Sequence, residues 1–434
     1  MFYSLKGSLR ALMPWPILSL YHFLLAFVAS VIFSEPSKQL IVIGVTGTKG
    51  KSSTIEYINA IFEEAGYETA ILNSIRRKIG KTEHPNTSRM SMPGRFGMQK
   101  FLFDAVQAGS QVAIIEMTSE GSRLHRHRFI HLDCLVFTNL SPEHIESHGS
   151  FEAYADAKLA LGRGLLKSVK RPRIIVANTD DGFSTQFLAL PVEEAVPFSL
   201  TQLESYEADS SGGRFHFGET LIEVHLPGNF SLKNALAACV VARTFGIKEP
   251  VIARGIAKIT EIPGRAQEIS VGQDFKVVVD YAHTPDSLAA IYDAYKPKRL
   301  ICVLGNTGGG RDLWKRPEMG KIADECCAEV VLTNEDPYDE DPQSIIDMMA
   351  RGMKRTPHTN IDRRLAIREA IALANAGDAV IISGKGTDPS IRGPLGKSIP
   401  WSDANVVREE LNLLISARKK GLKYERTPEN SSKI

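Results

Sequence analysis

The stretch IVIGVTGTKGKSSTIEYINAIFEEAG, residues 41–66, constrains the fold more than any other part of the chain. Ile41, Val42, Ile43 and Val45 read as a buried strand, and Ile55, Ile58, Ile61 and Phe62 recur at helical spacing. GTKGKSS lies between them. Strand, glycine-rich turn and helix in that order make a phosphate cradle. Gly47 and Gly50 let the backbone come close, the turn through Thr48 and Lys49 and the helix N-terminus at Ser52 and Ser53 favour an anion, and Lys51 adds a full positive charge. The Ser52 hydroxyl would stand beside a nucleotide-bound Mg²⁺. The longer G-x-x-x-x-G-K-[ST] spacing is not met, because Val45 stands five positions before Gly50; the pattern is the shorter G-T-x-G-K-[ST]-[ST]. The alternative is a chance Gly/Lys turn that binds nothing.

A chain of 434 residues has room for two or three domains. Its formal net charge of +2 excludes a polyanion binder and an acidic tail, so nucleic acid is not an expected partner. Cys134, Cys239, Cys302, Cys326 and Cys327 form no zinc spacing and fall mostly in apolar runs, which points to reduced core thiols in a cytosolic protein.

Residues 17–33, ILSLYHFLLAFVASVIF, are apolar apart from Ser, Tyr and His, with Lys6 and Arg10 upstream. That length is at the lower limit for crossing a bilayer, and no convincing cleavage site follows. The expectation is a docked or membrane-associated helix, with a true span as the alternative; the positive flank keeps the rest cytoplasmic in either case.

Downstream, strands and helices alternate, the pattern of a mainly parallel sheet covered on both faces. VAIIEMTSEG ends its strand in Glu116, CLVFTNLSPEHIESHG leads into a loop with His144, and RIIVANTDD ends in acidic Asp180. Ligands collect at such carboxyl ends in open α/β sheets. Residues 183–228 are less regular and read as antiparallel. A second series of strands and helices begins after IPGR, so the expected domains are 1–38 (hydrophobic helical segment), 39–262 (central, nucleotide-binding), 263–420 (C-terminal, dinucleotide-fold type) and 421–434 (polar tail). By residue type alone, Glu116 could be a partner for Lys51, His144 a loop histidine, and Lys158, in an Ala-rich helix, a surface lysine.

GTKGKSS, EMTSEG, TNLSPEHIESHGSFEAYADAK, NTDD, PGNFSLKNALAA, IPGR, VDYAHTPDSL, GGGRDLWKRPEMG, NEDPYDEDP and SGKGTD follow one another in the order found in the Mur ligases, and the chain most resembles the UDP-N-acetylmuramyl-tripeptide synthetases from residue 40 to about 415. The resemblance implies a central P-loop-type domain and a C-terminal α/β domain that close on ATP and Mg²⁺. It implies a ligase that joins an amino acid to a carboxylate through an acyl phosphate in peptidoglycan synthesis. Lys51 would neutralise the β and γ phosphates. Ser52 and Glu116 would hold one Mg²⁺, and a second would lie near Glu116 and His144. Lys158, fourteen residues after His144, matches the lysine that this family carbamylates into a metal ligand. Asn234 resembles the adenine contact, Arg265 the hinge arginine that reaches the phosphates, and Asp280 the ribose contact. Thr118 and Arg126 match acceptor-binding positions. Arg311 matches the arginine facing the incoming amino acid's carboxylate, a task suited to a planar guanidinium; Asp336, Tyr338, Gly384 and Asp388 complete that side.

The chain departs from the family at several points. Lys49 stands where asparagine is usual. Only 40 residues precede the strand, and they are hydrophobic where the family has a uridine-nucleotide domain, so a lipid-linked or otherwise different acyl acceptor is an alternative. Diaminopimelate-adding members carry Asp-Asn-Pro-Arg where this chain has Glu335-Asp336-Pro337-Tyr338. Loss of that arginine disfavours diaminopimelate, and Glu335, Asp336 and Asp388 leave acidic character suited to a lysine-like ammonium. The rival readings are a folate or poly-γ-glutamate ligase of the same fold, and a non-catalytic nucleotide-binding subunit of a wall-synthesis complex.

Overall fold

The computed structural model describes residues 14–88, 90–143, 145–422 and 424. Seventeen strands build the two main sheets and a small third one. The first sheet has β1 (Ile41–Thr46), β2 (Thr69–Leu72), β3 (Arg76–Ile79), β4 (Thr82–Pro85), β5 (Val112–Glu116), β6 (Cys134–Phe137), β7 (Ile174–Asn178) and β8 (Glu194–Phe198). Their order across the sheet is β4-β3-β2-β5-β1-β6-β7-β8, with only β3 running opposite to the rest. Because β1 is central, both of its faces are covered, which explains its unbroken apolar run. Ile43 and Val45 face a core shared with α2 (Lys51–Glu64) and α5 (Gly228–Thr244). Val42 faces the opposite core, shared with α3 (Arg95–Gln107) and α4 (Phe151–Leu165).

The antiparallel expectation for 183–228 holds in part. β9 (Tyr206–Ala208), β10 (Gly213–Phe217) and β11 (Thr220–Val224) form an antiparallel sheet against α5. The run Glu194–Phe198 instead extends the main sheet in parallel with β7; as the edge strand it can carry Pro197, which has no ladder donor to lose.

The second main sheet has the order β12-β13-β17-β14-β15-β16, made of Gln267–Glu268, Lys276–Val279, Ala379–Ile382, Leu300–Leu304, Glu329–Thr333 and His358–Asn360. Helices α6 (Lys315–Cys326), α7 (Arg363–Leu373) and α8 (Asp403–Lys419) cover it on both faces. Two expectations are corrected here. Cys302 on β14 and Cys327, just past α6, are joined as a disulfide with Cα atoms 6.2 Å apart, so not all five thiols are reduced. The strand and the end of the helix abut, a proximity that a 25-residue separation conceals. Beyond residue 420 the chain is not wholly solvated, since half-buried Tyr424 donates to Glu410 Oε2 at 2.9 Å.

The hydrophobic N-terminal run forms α1 (Trp15–Ile32), which docks along α3 and residues 123–129. Ser19 Oγ and His125 Nε2 lie 2.8 Å apart, the rings of Phe23 and Phe27 pack on Phe129, and Phe33 meets Phe103.

Candidate active site

The carboxyl ends of β1, β5, β6 and β7 open onto a cleft of about 680 Å³ between the two large sheets. The turn after β1 is shaped by two glycines. Gly47 has φ +147°, and a Cβ there would come within 1.9 Å of Thr138 Oγ1. Gly50, at φ +83°, begins α2 with no side-chain cap, so the helix presents its first amides to whatever occupies the cleft. The loop after β6 pins this turn. Thr48 N–H donates to the Asn139 carbonyl and Lys49 N–H to Asn139 Oδ1, both at 2.8 Å, and Thr138 Oγ1 donates to the Lys49 carbonyl at 2.6 Å.

Lys51 folds back over the turn, its Nζ donating to the carbonyls of Gly47 and Thr48 at 3.0 and 2.9 Å. Glu116 lies 4.0 Å away, a weak partner for Lys51 compared with its other contacts. Glu116 Oε2 accepts from Ser52 Oγ at 2.7 Å and from the Ser74 amide N–H at 3.1 Å. Burial pushes the Glu116 carboxyl up, but the Lys51 charge and hydrogen bonds from Ser52 and Ser91 outweigh it and hold the carboxyl below its ordinary value. Lys158 is not a surface lysine. It is 2% exposed, and its Nζ donates to the Gly47 carbonyl at 2.7 Å. Burial, with the Lys51 charge beside it, drives its amine well below the usual lysine value. His144 lies outside the described residues.

The far wall comes from the second sheet and the linker into it. Arg265 donates to Ser74 Oγ at 3.1 Å and its guanidinium stacks on Tyr281. Asp280 accepts from the amides of Ala266 and Ala282 at 2.6 and 2.7 Å, and burial holds its carboxyl above the ordinary value. Asn234, on α5, abuts Gly50 and receives the Thr54 hydroxyl at 3.4 Å. Thr48, Lys49, Ser53, Thr118 and Asp388 also line the cleft; the Thr118 hydroxyl caps the short helix Ser119–Arg123 by accepting from Gly121 N–H at 3.0 Å. Asp180 receives Lys233 Nζ at 3.1 Å.

Arg126, Arg311, Asp336, Tyr338 and Gly384 do not line this cleft. The Arg126 guanidinium donates to the Met92 carbonyl. Exposed Arg311 stacks 5.1 Å from the centre of the Tyr338 ring, which Arg392 approaches to 6.0 Å. The acidic character read at Asp336 and Asp388 is already compensated. Buried Lys385 sits between them, 2.9 Å from Asp336 Oδ1 and 3.1 Å from Asp388 Oδ2. Glu335, beside Gly384, is held above its ordinary value by burial.

Sequence reasoning missed one bridge between the halves. Glu143 Oε1 receives Lys49 Nζ at 3.0 Å and lies 2.7 Å from His283 Nε2. Lys49 and His283 are 234 residues apart, and only their presence in two separately recognised motifs hinted at a meeting. Ser74 was also missed, since it sits in a loop with no motif.

For Mg²⁺, the donor set suits a hard cation: a hydroxyl and a carboxylate held low, side by side, beside a cradle that a phosphate can fill. No cluster of three or more His, Cys, Asp or Glu stands ready among the described residues, which suits an ion that takes most of its ligands from phosphate and water.

Comparison with known proteins agrees with this geometry. Residues 45–242 match the Mur ligase middle domain and residues 264–386 the Mur ligase, glutamate ligase domain. The UDP-N-acetylmuramoyl-L-alanyl-D-glutamate--2,6-diaminopimelate ligase of Syntrophomonas wolfei is 36% identical over 378 residues, covering 83% of this chain and 76% of that protein. The UDP-N-acetylmuramyl-tripeptide synthetase of Roseiflexus sp. is 34% identical, covering 89% and 81%. A solved UDP-N-acetylmuramoyl-L-alanyl-D-glutamate--2,6-diaminopimelate ligase superimposes with a TM-score of 0.59 at 29% identity, over 87% of this chain and 79% of that one. The fold and the cleft define an ATP-dependent acid–amino acid ligase. The chain belongs to the Mur ligase family.

Proposed function

We propose that this ligase adds an amino acid to a muramyl-peptide precursor of peptidoglycan, with residues 39–262 and 263–420 as the two lobes of the reaction. The observation that carries the reading is the Lys51–Ser52–Glu116 group at the uncapped start of α2, with a buried, low-pKa Lys158 behind it.

Two anionic reactants must meet, so fixed positive charge carries the first step. In that step the acceptor carboxylate oxygen attacks the γ-phosphorus, the bond to the β–γ bridging oxygen breaks, and ADP leaves. Lys51, once drawn off its own loop carbonyls, neutralises the phosphates together with the α2 amides and Arg265. Ser52 and Glu116 would hold Mg²⁺, with His144 and Lys158 as its further neighbours; the ion supplies charge neutralisation at the phosphoryl oxygens. A carbamate on Lys158 would turn an amine with little affinity for its proton into an oxygen donor, and the depressed pKa is what its attack on CO₂ requires. Asn234 and Asp280 suit the adenine and ribose. Thr118 and Arg126 suit the acceptor. In the second step the amine nitrogen attacks the acyl carbon, and phosphate leaves as the amide forms. Arg311, beside Tyr338, suits the amino acid, with Asp336, Gly384 and Asp388 as the further candidates for that substrate. Contacts from both lobes make closure around ATP the gate.

Tyr338 removes the arginine expected of a diaminopimelate clamp, so diaminopimelate remains disfavoured; lysine has lost part of its support, because Lys385 already occupies the acidic pair. We place the enzyme in the cytoplasm, with α1 associating with the inner face of the membrane. The test is phosphate release with single amino acids against a panel of acyl acceptors. Strong activity with diaminopimelate overturns the specificity assignment, and no ADP or amide with any pair overturns the ligase.

A further inference from the structure

Helix α1 is built inside out. Its polar side chains turn inward: His22 and Ser30 are each 2% exposed, and Ser19 bonds His125. Its large apolar side chains turn outward, with Ile17, Leu20, Leu24, Phe27, Val31 and Ile32 between 48 and 61% exposed. A helix facing water shows the reverse arrangement. Polar groups toward protein and apolar groups outward is the arrangement that hydrocarbon imposes. Trp15 and Tyr21 mark the N-terminal part of the exposed face, and such amphipathic rings favour the headgroup level. The helix measures about 27 Å at 1.5 Å per residue. One long side is clamped onto the protein, a geometry that suits a helix lying along a bilayer surface and not one crossing it.

Charge says which surface. The segment Arg123–His131 carries three arginines and no acidic residue, and the Arg123 guanidinium stacks 4.7 Å from the Trp15 ring. Cations beside an interfacial tryptophan complement anionic headgroups. The same segment includes Arg126, which the ligase reading assigns to the acceptor, and α1 runs along it from Trp15 to Phe27.

We propose that α1 and residues 123–131 form a docking surface for an anionic phospholipid bilayer, and that the acceptor reaches Arg126 as a carboxylate-bearing amphiphile held in that bilayer. The acceptor half of this proposal rests on the ligase reading above. The full chain should float with phosphatidylglycerol-containing vesicles and not with pure phosphatidylcholine, and added salt should weaken the binding. Leu20→Glu combined with Leu24→Glu should abolish flotation while leaving the melting temperature unchanged, since both positions are exposed. Phosphate release should be at least about ten-fold more efficient with a vesicle-borne acceptor than with a water-soluble one bearing the same peptide, and the double variant should lose that advantage. Absence of flotation, or equal efficiency on both acceptors, overturns the proposal and leaves the ligase standing. Flotation with no phosphate release from any acceptor overturns the ligase reading and the acceptor assignment together.

Discussion

The two ends of the proposed reaction path, the phosphate loop inside the cleft and Arg311 outside it, are made differently. At the phosphate-loop end, Ser52, Glu116 and Lys158 are buried and Lys51 is half-buried, each is held by named partners, and the loop itself is fastened from the neighbouring strand. At the other end, Arg311 is exposed and leans on the ring of Tyr338. Groups that must stabilise charge as it develops gain from being fixed in advance. A group that only recognises an arriving amino acid can sit on an adaptable surface. On the proposed roles, the chemistry would rest on a rigid end and the selectivity on a replaceable one, within one fold.

Substitutions at the two ends should separate accordingly. Lys51→Ala removes a fixed charge from the phosphate loop, so kcat/KM for ATP should fall about 10³-fold; a loss below ten-fold would remove Lys51 from the first step. Lys158→Ala should lose about 10²-fold or more and regain part of it with added short carboxylic acids, which replace a carbamate oxygen donor. Unchanged activity without additive would end the carbamate role. Arg311→Ala should raise KM for the amino acid about 10–100-fold with kcat nearly constant, as removal of a charged hydrogen bond used for binding does. An equal fall in kcat would place Arg311 with the chemistry and erase the contrast.

The smallest effect concerns the bridge between the lobes. Burial and the neighbouring Lys49 charge lower His283 to about 4, with Glu143 pulling the other way and Lys315 nearby. An unfolded histidine titrates near 6.5. Between those values the unfolded chain takes up a proton that the folded chain refuses, so stability is full above pH 6.5 and declines as the pH falls toward 4. His283→Gln should flatten that part of a urea-midpoint profile, whereas an unchanged slope would assign it to other groups.

The difference between the ends also governs what could be read from sequence. Local pattern sufficed for β1, the turn and α2, because strand period, glycines and helix period lie within one short stretch. Burial of Lys158 was beyond local pattern, since an Ala-rich helix containing a lysine reads as a surface helix; only the family resemblance pointed inward. The Lys49–Glu143–His283 bridge and the Cys302–Cys327 pair depend on how distant segments pack, and neither residue spacing nor composition carries that information. For α1, composition indicated an apolar helix, but not that its serines and histidine face the protein. Orientation is a property of docking, and it reversed the usual meaning of amphipathicity.

Arg265 follows Gly264, whose φ of +64° lets the linker press against Gly386 and Thr387 with no space for a side chain. The proposed closure of the lobes would turn about this pinch and carry the guanidinium relative to Ser74 and the Glu116 carboxylate it influences. In the proposed closure, the Arg265 charge that helps hold the Glu116 carboxyl low would move with the linker, coupling posture to the chemistry of the proposed metal site.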